Sequence, residues 1–401
     1  MAAPGQAAGL LHRQTQSRCA DYLMTTSLTI IRDYRQFRTL KDDWNRLVER
    51  NYSSGVWLRH EWYDCWWQAF GGNAQMFVVT MSDNEQLAAV LPLLIIPMSI
   101  KGSRQRVLRF MENGITPRSN FIIPDITGAK LKAIWTEIFA HSAEWDLAIL
   151  ANIEQGNVGY EQWREYLDAN QVRHVELPER VSPFIRIDTD IATVRAGFGK
   201  RLKRNLSNVR NRLERSGGFS LVCCSTPDEV QIGLKEAFEV SANSWKGRLG
   251  KNIGGNKERE FFYRSIAMAL VQQGRVRIWL LRHKERTIAY EYTLHDRDHV
   301  LLLAIDYNLE FAAFSPGSVL RNLVLEQLAG RQFRIYDFSG TNYDYKLHWT
   351  RSVRPHSQFW IFHSGLKSRL LYLIKAKVLP AFERAAAKTP PPQDSEADGE
   401  E

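Results

Sequence analysis

Four cysteines in 401 residues, Cys19, Cys65, Cys223 and Cys224, show no CxxC spacing. They offer neither a thiolate zinc site nor a disulfide framework, and no metal is expected. The signatures GxxxxGK[ST], GxSxG and HExxH are missing, as is a GxGxxG run behind a strand. P-loop kinase, serine hydrolase, zinc protease and dinucleotide-binding readings lose their footing together. Long apolar runs are missing too. The longest, Leu87 to Ile100, is broken by Pro92 and Pro97 and falls short of the ~20 residues a spanning helix needs, so no transmembrane segment is expected. The first 23 residues lack a signal-peptide core, and Met24 is a candidate start of the folded protein; a cytoplasmic location is the expectation.

What is present begins with size and charge. A chain of this length with 44% hydrophobic residues can bury two cores. The formal charge of +9 understates the body, because the tail Thr389 to Glu401 holds five acids and no cation, which leaves +14 for the rest. Such a field suits CoA phosphates, nucleic acid, an anionic membrane or anionic sugars, and equally a solubility bias.

Hydrophobic periodicity shows one series of elements twice. Strand-like Met76 to Thr80, a turn at Ser82 to Gln86 and strand-like Leu87 to Ile95 correspond to Val276 to Leu281, Arg282 to Arg286 and Thr287 to Leu294, with Glu85 and Glu285 in equivalent turn positions. Each hairpin is followed by strand, helix and strand: Val107 to Met111, Ala129 to Ala140 and Trp145 to Leu150, then Val300 to Asp306, Ser318 to Ala329 and Arg334 to Phe338. Helical patterns at Trp62 to Phe70 and Glu258 to Val271 precede the hairpins. The fold class expected is α/β (α+β), two tandem domains that are each a mixed β-sheet flanked by helices. The expected divisions are a flexible extension 1–26, a first domain 27–178, a second domain 179–364, a terminal helix 365–388 and a disordered acidic tail 389–401.

Two helical patterns are basic. In Asp190 to Gly217, apolar residues from Val194 to Leu213 recur at helical steps while Arg195, Lys200, Arg201, Lys203, Arg204, Arg210, Arg212 and Arg215 face only Glu214. A solvated face and an anion-binding rim both fit. In Gly365 to Ala387, Leu366, Leu370, Ile374 and Val378 share one side, which is expected to pack on the body rather than anchor to a membrane.

The stretch Val300 to Leu320 is a buried strand, a loop, and then Ser315, Pro316, Gly317 and Ser318 opening a helix. Ser315 suits the N-cap and Pro316 the first helical position. A positive helix end with free amides, and a glycine that lets a pyrophosphate approach the backbone, make a diphosphate cradle; a plain cap is the alternative.

The segments Ser241 to Arg248 (SANSWKGR), Thr287 to Leu294, Phe314 to Leu320 (FSPGSVL) and Tyr336 to Lys346 (YDFSGTNYDYK) with Trp349 resemble the CelD/BcsL family of GNAT acetyltransferases, linked to cellulose and exopolysaccharide production and similar to the FemABX peptidyltransferases. The resemblance spans about residues 28 to 365. It implies two tandem GNAT-like domains, with acetyl-CoA or another acyl-CoA lying against Val300 to Asp306 and its pyrophosphate at Phe314, Ser315, Pro316, Gly317, Ser318 and Val319. Acyl transfer by direct attack needs a base for the acceptor and an acid for the thiolate. Asp306, Glu291 and Asp337 are base candidates, and Tyr345 with Lys346 can supply the acid and a positive charge. Each also has a structural alternative as a cap, anchor or ion-pair partner. Trp245, Lys246 and Arg248, before a glycine-rich stretch, form a candidate lid over the acceptor or an ordinary surface loop.

The function implied is acyl-CoA-dependent N- or O-acyltransfer to a sugar or related acceptor in polysaccharide biosynthesis, with possible association with a membrane polysaccharide synthase. The alternatives are a FemABX-like transferase using aminoacyl-tRNA, the one reading that involves nucleic acid, and a non-catalytic accessory subunit of a synthase.

Overall fold

The computed structural model describes residues 26–53, 55–340 and 344–378. The expected N-terminal extension, apart from its last residue, and the acidic tail lie outside the described residues. The first half contributes β1 (Thr26–Ile31), β2 (Gln75–Asp83), β3 (Gln86–Ile100), β4 (Ser103–Phe110), β5 (Leu147–Glu154) and β6 (Arg173–Arg186). The second contributes β7 (Ser220–Cys224), β8 (Val276–His283), β9 (Arg286–Asp296), β10 (His299–Tyr307), β11 (Ile335–Asp337) and β12 (Val353–Phe362).

The repeat is visible in backbone detail. The β2–β3 and β8–β9 hairpins close on Asn84-Glu85, with φ of 50° and 65°, and on Lys284-Glu285, with φ of 47° and 65°. Two consecutive positive φ values let a two-residue turn follow the twist of its strands. A bulge precedes each turn, at Met81/Ser82 and at Leu281/Arg282. Parallel pairing of β4 with β5 across the helix Gly128–Ala140, and of β10 with β11 across the helix Pro316–Leu328, completes the correspondence.

The halves nevertheless share one sheet, ordered β1-β2-β3-β4-β5-β12-β6-β11-β10-β9-β8-β7. β12, late in the chain, lies between β5 and β6. β6 pairs with β12 from Arg173 to Pro183 and with β11 from Phe184 to Arg186. The division expected at 178–179 therefore falls inside a strand. Pro178 does not end that strand because it sits opposite the β12 register shift between Pro355 and Ser357, where the ladder can spare a donor.

The single helix expected over Asp190 to Gly217 is two, Ile191–Ala196 and Lys200–Arg215. The chain bends at Gly197 to Gly199, where the Gly199 amide donates to the His348 carbonyl at 3.0 Å instead of continuing the helix. The helix Leu366–Leu373 is turned opposite to expectation. Leu371 and Tyr372 enter a cluster with Phe362, Val107 and Leu147, leaving Leu366 and Leu370 exposed. One core joins the halves face to face: Trp62, from His60–Phe70, meets Phe262, from Lys257–Val271, edge-on at 5.2 Å.

Candidate active site

A wedge opens where β10 outruns β11. The two pair only at His299–Leu301 with Ile335–Asp337, whereas β10 continues to Tyr307 against β9 alone, with a bulge between Leu302 and Ala304. Beyond Leu301 its outer edge has no strand neighbour among the described residues, so alternate backbone groups there can pair with a ligand as with an added strand. A cleft of about 440 Å³ occupies this wedge, lined by Trp245, Lys246, Ile305, Asp306, Tyr307, Ala312, Ser315, Gly317, Ser318, Arg321, Tyr345 and Trp349.

The equivalent wedge in the first half is filled by its own chain. Past the β4–β5 pairing, Ser119 bridges to Ile153 and Ile122 to Val90, and Phe121 and Ile123 are buried in the core. Among the described residues, the splay between parallel strands stays open in the second half alone.

The helix start is narrower as an anion site than the sequence suggests. Ser315 is at the N-cap and Pro316 follows it, but Ser315 is left-handed (φ 45°) and its side chain makes no capping bond. The Ser318 and Val319 amides turn back to the Ser315 carbonyl at 2.9 and 3.2 Å. Proline has no amide, so the Gly317 N–H is the first-turn donor that remains for a ligand. A Cβ on Gly317 would stand 3.5 Å from Tyr307 Cδ1, an ordinary contact, so packing alone does not demand glycine here. Val319 is buried in the core, and Phe314 packs beside His283 rather than into the cleft.

The three expected carboxylates separate. Asp306 lines the cleft; its Oδ2 accepts from Ser241 Oγ at 2.6 Å and Tyr290 Oη at 3.1 Å, and its Oδ1 lies 2.7 Å from Lys246 Nζ. Glu291 is fully buried beneath the floor, paired with Arg321 and bonded by the Tyr336 hydroxyl. Burial raises its carboxyl against the opposing pull of Arg321.

Asp337 is also fully buried, within an ion cluster with Arg118, Arg354 and His299. Burial alone would raise it, but Arg118 and Arg354 overrule that and hold it well below the carboxylate range. Its position at the end of a strand made it a plausible base; the arginine that claims it comes from the other half of the chain.

Lys346 is buried, with Nζ donating to the carbonyls of Ser339 at 2.6 Å and Phe338 at 3.2 Å. Desolvation first, and repulsion from Arg321 second, bring its pKa down to about 7. Tyr345 beside it is half-exposed and lines the cleft. Trp245 and Lys246 also line it, while Arg248 borders a separate polar hollow with Asn308 and Glu310.

Local sequence explains how Lys246 is delivered. Ser244 caps the short helix Trp245–Arg248 by accepting from the Gly247 amide, and a Cβ on Gly247 would strike the Ala242 carbonyl oxygen at 2.1 Å. Sequence reasoning missed Ser241, Tyr290 and Arg321 as site residues. Ser241 stood in the motif without a role, and Arg321 lies one helical turn beyond Gly317, a spacing that places both on the cleft side. Among the described residues no group of three or more His, Cys, Asp or Glu is arranged for a metal ion, and no helix is long and apolar enough to cross a membrane.

Residues 200–347 match the family described as Acetyltransferase (GNAT) domain, and acyltransferase is the enzyme class that this match assigns. No curated protein matches the chain in sequence. Solved structures share its fold. One is a conserved protein of unknown function from Bacteroides thetaiotaomicron, with TM-score 0.57, 9% identity, 84% of this chain and 100% of that one covered. FemX aligns with TM-score 0.55 and 11% identity over 83% and 98% of the two chains. The C-terminal domain of a putative lysylphosphatidylglycerol synthetase from Agrobacterium fabrum gives 0.52 and 11% over 86% and 97%.

Proposed function

We propose that the chain transfers an acyl group, acetyl in the simplest case, from acyl-CoA to a hydroxyl or amine of a sugar or related acceptor made in the cytoplasm for an extracellular polysaccharide, and that it docks to a membrane polysaccharide synthase. The observation that carries the acyl-CoA reading is the open β10 edge ending on the Gly317 helix start with Asp306 in the cleft wall. The pantetheine arm pairs with that edge and the pyrophosphate meets the Gly317 amide and the positive helix end. The sugar acceptor rests on the likeness of SANSWKGR and YDFSGTNYDYK to the polysaccharide-linked family.

Asp306 takes the proton of the attacking hydroxyl or amine as the new bond to the thioester carbon forms. The carbon–sulfur bond then breaks, and the departing thiolate takes a proton from Tyr345 or from protonated Lys346. Glu291 with Arg321 and Asp337 with Arg118 are buried ion pairs that brace the surrounding strands rather than move protons. A thermal-shift series with acetyl-CoA and longer acyl-CoAs, followed by thiol release with amino sugars and sugars, tests this. A donor that binds only the native state raises its melting temperature; no shift with any acyl-CoA at millimolar concentration would sink the reading.

A second reading, transfer from an aminoacyl-tRNA, is favoured by the basic helix Lys200–Arg215. Its Arg212 donates to the Ala313 carbonyl, just before Ser315, so the basic face stands beside the cleft entrance. In that case binding weakens steeply with salt, by about 0.7 to 0.9 in log-log slope per phosphate neutralised.

A further inference from the structure

The terminal helix Leu366–Leu373, continued by the turn Ile374–Val378, leaves an apolar stripe outside the fold. Leu366, Leu370, Leu373 and Ile374 are 86%, 59%, 50% and 37% exposed, and their spacing puts them on one side of the helix. The opposite side is fastened: Ser368 is buried and accepts from the His363 amide at 3.0 Å, while Tyr372 packs on Phe362 at 5.4 Å. The stripe therefore belongs to a helix held in place, not to a frayed end.

The charges that this segment itself carries are of one sign. Between Gly365 and Val378 the ionisable side chains of charge are Lys367, Arg369, Lys375 and Lys377, with no acid among them. Lys367 is tied to Asp146 at 2.8 Å and Lys375 lies 4.3 Å over the Trp360 ring, so cations and half-buried aromatics ring the exposed leucines. A second copy of the chain is a poorer occupant. Four partly exposed side chains offer on the order of 400 Å², about half of what each partner gives a stable interface, and two such faces would set cations against cations.

We propose that this helix is a docking surface for an anionic membrane, with the leucine stripe entering the headgroup boundary and the flanking cations lying at the level of the lipid phosphates. The inference stands apart from the acyltransfer reading, since the cleft contributes nothing to it. The experiment sediments the full chain with vesicles of phosphatidylglycerol or of neutral phosphatidylcholine. Binding to the anionic vesicles is expected to exceed that to neutral ones by at least about tenfold, and the double variant Leu366→Glu/Leu370→Glu to lose at least about tenfold of it. Unfolding temperature should stay the same, because both side chains are exposed. Failure to sediment with either vesicle, equal sedimentation of wild type and variant, or a concentration-dependent dimer abolished by the double variant overturns the proposal.

Discussion

Lys246 Nζ lies 2.7 Å from Asp306 Oδ1 and 2.7 Å from the carbonyl oxygen of Ile305. One ammonium thus neutralises the cleft carboxylate and covers an acceptor on the open edge of β10. A pantetheine amide that pairs with that carbonyl would compete with the lysine for it, and a lysine that gave way would leave Asp306 as well.

This relationship separates two variants. Asp306→Asn keeps the acceptor oxygen for Ser241 or Tyr290 but removes the base, and kcat is expected to fall about 10²- to 10⁴-fold with little change in KM for acyl-CoA. Lys246→Met removes the competitor for the Ile305 carbonyl, so KM for acyl-CoA should fall or hold. Thiol-release kinetics at varied acyl-CoA measure both; matching losses in the two variants would mean that the pair is only structural.

The glycines make an opposite pair. Gly247→Ala places a Cβ 2.1 Å from the Ala242 carbonyl oxygen and 2.8 Å from that of Ser241, so the turn must open, at a cost of about 1–3 kcal/mol in urea denaturation. Gly317→Ala meets nothing closer than 3.5 Å and gains helix propensity of up to about 1 kcal/mol. Gly317→Val should fold as well yet lose most of the acyl-CoA thermal shift. A full shift in that variant would move the diphosphate elsewhere.

Arg118 and Asp337, 219 residues apart, are paired with both side chains buried. Arg118→Met leaves the carboxylate to Arg354 and His299 and should cost about 3 kcal/mol, read by urea denaturation. Acyl-CoA binding is expected to persist at low temperature, since neither residue lines the cleft.

These pairs show where reading the sequence stops. The hairpins and their turns were legible because period-two strands bracket Asn84-Glu85 and Lys284-Glu285, a local signal. The helix start at Ser315 to Gly317 was legible for the same reason. The claim of Arg118 on Asp337 was not, because it depends on a strand order that brings distant segments together. Nor was the placement of β12 beside β5, or the helix break at Gly199, whose amide is taken by the carbonyl of His348 from far along the chain. Asp306 was named from its place at a strand end, while Ser241 and Tyr290, which hold it, were fixed only by the packing of the helix Pro227–Ala242 on the sheet.

Lys346 supplies a pH window. Desolvation and then repulsion from Arg321 lower its pKa from the ordinary 10.5 to about 7 in the folded protein, while the unfolded chain keeps the ordinary value. Between those two pH values the unfolded state binds a proton that the folded state has shed. Stability therefore rises with pH across the window and is lost as pH falls through about 7. Lys346→Met removes the titration, so the stability difference between wild type and variant should climb from pH 7 toward 10 with a slope of up to about 1.4 kcal/mol per unit. Urea denaturation at several pH values measures this, and a flat difference would mean that the buried amine keeps its ordinary affinity for protons. Activity adds a second readout. If the thiolate draws its proton from Lys346, kcat declines above pH 7 in the wild type, and the variant lacks that inflection whatever its residual rate.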